Sequence, residues 1–111
     1  MTKNEQREIN QRVLEYLQVY NDWVDTRNVT PSWKKLRSCS AEVAQIGNWY
    51  VLRSYRTIVA IIDTQTDTLV DFLRYVYGYT STSAQHISKF SKDYGNSKWG
   101  CAHVLTYKEV A

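Results

Sequence analysis

The sequence predicts an α+β fold: N-terminal helices packed on a small antiparallel sheet of three to four strands, with one further helix in the C-terminal half. Three observations carry that expectation. Ile9, Val13, Tyr16, Leu17, Tyr20, Trp23 and Val24 recur at three- and four-residue steps, which gathers them on one face of a helix. Trp49 to Tyr55 alternates with the two-residue period of a strand. Thr57 to Asp63 is β-branched and almost wholly apolar, as suits a strand covered on both faces. A chain of 111 residues has room for one domain. Residues 1–47, read as a helical segment, and 48–111, read as an α+β segment, should therefore share a core.

The first helix spans about residues 5 to 24, with Glu8, Arg12, Glu15 and Asp22 on its polar side. Its aromatic end reads as core rather than as a ligand box. Thr30-Pro31-Ser32 has the form of a helix start, a hydroxyl followed by a proline whose missing N–H costs nothing there. It predicts a short helix from Pro31 through Leu36 with Trp33 and Leu36 on one side and Lys34, Lys35 and Arg37 beside them. A second start at Ser38 or Ser40 would carry a helix over Ala41 to Ile46, ending at Gly47-Asn48.

In the strand that follows, Trp49, Val51 and Tyr55 fall on one face and Tyr50, Leu52 and Ser54 on the other. Asp63 to Asp67 is turn chemistry. Thr68 to Tyr79 reads as a third strand bent at Gly78, while the spacing of Leu69, Phe72, Leu73 and Val76 also fits a helix over Thr68 to Tyr77. Thr80 to Ser83 supplies candidate N-caps for a helix that aligns Ala84, Ile87, Phe90 and Tyr94 and stops at Gly95. Val104 to Tyr107 makes a short last strand.

Fourteen Lys plus Arg against eleven Asp plus Glu give a net charge of +3. A protein that imitates DNA would be acidic, so that mode is disfavoured. A dedicated nucleic-acid binder is usually more basic, although a local patch suffices. The start MTKNEQRE has no apolar core of a signal peptide, and the apolar run Ile58 to Ile62 is too short to cross a bilayer. A cytoplasmic protein with no membrane partner is expected, with Cys39 and Cys101 as free thiols.

Chemistry-bearing residues are sparse. Cys39, His86, Cys101 and His103 could be assembled into a metal site only by the fold, because no paired ligand motif is present. His86 stands beside Ser83 and Ser88 without a sharp nucleophile turn. Asp63, Asp67 and Asp71 recur at four-residue steps, but on the strand reading the first two flank a turn and Asp71 points outward. No catalytic residue, metal or cofactor is expected.

The unusual figure is the aromatic content: nine Tyr, four Trp and two Phe, 14% of the chain. A small domain cannot hide all fifteen, and exposed Tyr, Trp and Arg are what interfaces concentrate. On an extended strand Tyr75, Tyr77 and Tyr79 would form a ladder of rings, with Arg53, Arg56 and Arg74 near in sequence and Lys89 and Lys92 on the next helix. Trp33 joins them as a contact residue. The same set would serve single-stranded nucleic acid, by base stacking and phosphate contacts. A third possibility is an oligomerising protein in which the first helix pairs with its copy.

Trp49-Tyr50-Val51-Leu52-Arg53-Ser54-Tyr55-x-Thr57-x-Val59-Ala60, followed by Tyr79-Thr80-x-Thr82-Ser83-Ala84-x-His86-Ile87-x-Lys89-Phe90-x-x-Asp93-Tyr94-Gly95, resembles a domain of unknown function found in small proteins of phages and mobile elements of Gram-positive bacteria. The resemblance covers about residues 47 to 107. It implies a small α+β fold and a phage context, and supplies no catalytic residues. Small phage proteins without catalytic signatures are often inhibitors of host defence, such as anti-CRISPR proteins. The partner expected on that ground is a host RNA-guided nuclease of type II.

Overall fold

The periodic first stretch forms one helix, α1 (Lys3–Arg27), in a computed structural model that describes residues 2–27, 31–37, 39–78 and 80–110. Thr2 opens it: its hydroxyl oxygen accepts the Glu5 N–H at 3.1 Å and its O–H donates to the Glu5 carboxylate, which satisfies one of the helix's orphan donors. Six strands follow: β1 (Lys34–Lys35), β2 (Ala41–Ile46), β3 (Trp49–Ser54), β4 (Thr57–Asp63), β5 (Thr68–Asp71) and, after two helices, β6 (His103–Thr106). The helices between the last two are α2 (Leu73–Val76) and α3 (Ser81–Tyr94).

The sheet runs in sequence order, β1-β2-β3-β4-β5-β6. The first five strands are an antiparallel meander and β6 lies parallel to β5. Parallel neighbours need a crossover, and α2 with α3 supplies it. α3 covers one face, where Ile87 and Phe90 pack with Leu52, Val59, Ala60 and Ile62. α1 covers the other, where Val13 and Tyr20 pack with Val51, Ile61, Val70 and Phe72. β4 sits between the two cores, and Val59 to Ile62 are all fully buried. The fold class is therefore α+β as expected, but the sheet has six strands and is mixed, against the three or four antiparallel ones predicted.

Four local readings change with it. Pro31 to Leu36 is not a helix: Lys34 and Lys35 pair with Val43 and Glu42, and Leu36 is buried in the α3-side core. Six residues are too few for a helix to hold without packing, and the sheet edge outcompetes it; Thr30, the expected cap, lies outside the described residues. Ala41 to Ile46 is strand rather than helix. Ile46 pairs directly with Trp49, so Gly47-Asn48 is a two-residue hairpin turn with Gly47 at φ +58° instead of a helix stop. A register shift between Leu52 and Arg53 rotates the end of β3. Tyr55, expected on the Trp49 face, lies instead at φ +57° with its ring 5.8 Å from His86 of α3.

The fourth correction concerns Thr68 to Tyr79, where both expectations are half right. The strand stops at Asp71, whose Oδ1 accepts the Leu73 N–H at 3.1 Å. Leu73 to Val76 then turns once as helix, and Tyr75 and Val76 donate to the Phe72 carbonyl. Phe72 is fully buried on the α1 side, so the chain must leave the strand direction to bury it. α3 matches expectation: Thr80 accepts the Ser83 N–H and the helix ends before Gly95.

Candidate interaction surface

Register decides which side chains meet. Ala60 pairs with Asp71 and Ser54 with Thr57, so the β3–β4 turn and the β5–α2 connection lie at the same end of the sheet. That end carries the exposed Tyr55 and Arg56 beside α3 and the β1–β2 side, and Arg74, Tyr75 and Tyr77 beside the segment after β6. Tyr75 and Tyr77 are 51% and 54% exposed. The Tyr75 ring lies edge-on to Tyr107 at 5.1 Å.

The expected ladder is absent as such. Tyr75 is in α2 and Tyr77 caps it, and helical geometry points residues two apart in different directions. Tyr79 lies outside the described residues. Arg53 and Trp33 are spent on each other: the guanidinium sits 4.2 Å from the Trp33 ring centroid and donates to Glu42 at 2.8 Å. That pair fixes the segment before β1 onto the α1-side core, where Trp33 packs. Of the α3 lysines, Lys92 is exposed in the last turn and Lys89 is half-buried. They belong to the α3 layer and not to the tyrosine end.

The opposite end carries a feature the sequence reading missed. Ser97 and Gly100 form a bridge that closes a tight turn, and Trp99 at its tip is 83% exposed. Asp67 in the β4–β5 turn holds this turn from below. Its carboxylate accepts Asn96 N–H at 2.9 Å, Ser97 O–H at 2.6 Å and Ala102 N–H at 2.9 Å. Those donors, the Asn96 N–H foremost, keep the carboxyl below the usual Asp range. A Cβ on Gly95 would fall inside the Gly100 carbonyl, and one on Gly100 would overlap Ser91. The indole is thus exposed on a turn whose base is closely packed. A tryptophan inside Asn-Ser-Lys-Trp-Gly, a run of turn residues, could have been recognised as having no core to enter.

On the α1 side of this same end, Val19, Tyr20 and Trp23 face Ile46, Gly47 and Trp49 across a groove of about 220 Å³. Tyr16 lies one turn before it, its ring tilted against Trp49 at 5.2 Å and its hydroxyl donating to Asp63 Oδ2 at 2.7 Å. The helix stripe is core along most of its length, as expected, and opens into this groove where α1 passes the β2–β3 turn.

Two clusters resemble catalytic sets. Ser54 Oγ lies 2.8 Å from His86 Nδ1 and 2.9 Å from Ser83 Oγ. All three are buried, which shields the hydroxyl from solvent, and among the described residues no carboxylate is bonded to the pair. Burial, followed by the charge of Lys89, holds His86 below its ordinary value. The three aspartates are anchors: Asp63 for Tyr16, Asp67 for the Trp99 turn, Asp71 for the start of α2. Asp71, expected to point outward, is half-buried, and that burial raises it.

Among the described residues no cluster of three His, Cys, Asp or Glu could hold a metal, and no helix is long and apolar enough to cross a membrane. Cys39 and Cys101 are free and partly buried beside the α3-side core. The arrangement defines a helix–sheet–helix scaffold that presents exposed aromatic side chains at both ends of its sheet. Compared with protein-family models, curated proteins and solved structures, the chain matches none.

Proposed function

We propose that the protein is a non-catalytic, phage-encoded binding protein that inhibits a host RNA-guided nuclease of type II by occupying part of its surface. The observation that supports this reading is the tyrosine end of the sheet, where Tyr55, Tyr75 and Tyr77 stand exposed with Arg56 and Arg74. Stiff rings beside guanidinium groups bury much area for little lost rotamer freedom. The Tyr75–Tyr107 contact and the short helix hold the patch in shape before a partner arrives, which lowers the ordering cost of binding. A net charge of +3 suits an acidic or apolar face of the nuclease better than its DNA channel.

The test adds the purified protein to a guide-loaded type II nuclease and follows DNA cleavage and co-elution over a concentration series. Inhibition saturating near an equimolar ratio, with co-elution, is the expected result. A folded Tyr75→Ala/Tyr77→Ala variant should lose at least about thirtyfold in potency, as hot-spot truncation does. No inhibition and no co-elution across several such nucleases refutes the reading. Binding to single-stranded RNA or DNA that falls steeply with salt would replace it with nucleic-acid recognition.

A further inference from the structure

The exposed Trp99 and the α1 groove flank one and the same turn. Gln65 of the β4–β5 turn lines the groove, and Asp67 of that turn holds the Trp99 loop. We propose that they are two halves of one self-complementary contact, through which two copies of the chain pair reciprocally, each Trp99 seated in the other's groove.

Size, rigidity and charge support this. At about 220 Å³ the groove is smaller than a typical small-molecule pocket and suits one large side chain. Its walls, Val19, Tyr20, Trp23, Ile46 and Trp49, are apolar or aromatic, the surroundings an indole prefers. Val19 on its rim is 54% exposed, so the groove is open. The backbone that carries Trp99 is already tethered through Asp67, so association has to order only the side chain. Lys98 has its Nζ 5.3 Å from the Trp99 ring centroid. On the turns of α1 that flank the groove Glu15, Asp22 and Asp25 are exposed, with Arg12 one turn before them. Seating the indole brings Lys98 toward that acidic stretch. Because knob and hole share one end of the molecule, a single two-fold axis satisfies both copies, and assembly closes at two.

The experiment is sedimentation equilibrium of the full chain from about 1 μM to 1 mM. Small interfaces associate weakly, so a monomer–dimer equilibrium with a midpoint in the tens of micromolar is expected. Trp99→Ala and Val19→Lys should each weaken it at least about thirtyfold, with circular dichroism unchanged because both side chains are exposed. An equimolar mixture of the two variants keeps one intact knob and hole, and should associate more strongly than either alone. Lys98→Glu should weaken the dimer severalfold. A monomer at the highest concentration overturns the proposal, as does a dimer indifferent to Trp99→Ala and Val19→Lys. Growth beyond two copies overturns the reciprocal pairing. The nuclease assay is independent of all these outcomes.

Discussion

Tyr16 ties α1 to the sheet through one atom pair, and Tyr16→Phe removes the tie while keeping the ring. The hydroxyl donates to Asp63 Oδ2 at 2.7 Å, and Asp63 is 8% exposed, its other oxygen accepting the Gln65 N–H. Burial first, then the hydrogen bond and charge of Asp63, push Tyr16 up to about 12. Because burial leads that displacement, the hydrogen bond accounts for only part of it. Counting the bond directly, a donor lost from a buried acceptor costs about 1–3 kcal/mol, and about 2 kcal/mol corresponds to a fall of roughly 8–12 °C in melting temperature for a domain of this size. The sign with pH follows. Because the folded value is raised, the contribution is whole below the unfolded value near pH 10 and disappears as pH rises through about 12. Urea unfolding followed by circular dichroism, at pH 7 and then from pH 9 to pH 12, measures both. The reasoning fails if the variant lies within about 0.5 kcal/mol of wild type at pH 7. It fails too if the gap between the two proteins does not narrow at the alkaline end.

Three further outcomes are expected. Gly95→Ala keeps an ordinary φ of −74° but drives a methyl into the Gly100 carbonyl; thermal unfolding should show a loss of about 1–3 kcal/mol, and an unchanged melting point would show the α3–β6 connection to be loosely packed. Phe90→Ala empties a fully buried site beneath α3 and should cost about 3–5 kcal/mol, whereas Tyr77→Ala should stay within about 0.5 kcal/mol. Similar costs for the two in urea titrations would contradict the division between core and surface. His86 is held below its ordinary value by burial and by Lys89, with Ser54, Ser83 and Tyr55 around the ring. Its contribution is whole above the unfolded value near pH 6.5 and is lost as pH falls through the lower folded value. Wild type should therefore lose stability in acid faster than His86→Gln; parallel curves would remove His86 as the cause.

The site is legible in part from the sequence. Composition and spacing point to Arg56, Arg74, Tyr75 and Tyr77, and register brings them to one end of the sheet, although not as a ladder. Arg53 and Trp33 stand out on the same grounds, yet they stack on each other inside the fold. Nothing in a sequence tells an arginine that stacks on its own tryptophan from one that waits for a partner. Trp99 and the groove escape notice because each depends on where a turn lands: Asp67 reaches three donors 29 to 35 residues away.

What the chain determines locally is what its periodicity and caps can carry. The seven-residue stripe of α1, the unbroken apolar run of β4 and the Thr80 cap of α3 each state their own structure, because short-range sterics and hydrogen bonds suffice. Ala41 to Ile46 does not: its small and mixed residues fit either a helix stopped at Gly47 or a strand turned there. Pairing of Ile46 with Trp49 decides for the strand, since only that choice buries Val43 and Ile46 on opposite faces. The same holds for residues 68–77, where β5 beside β4 and the burial of Phe72 divide one pattern between strand and helix. Tertiary structure decides these segments because their local alternatives are nearly equal in energy, and contact with distant strands outweighs the small difference between them.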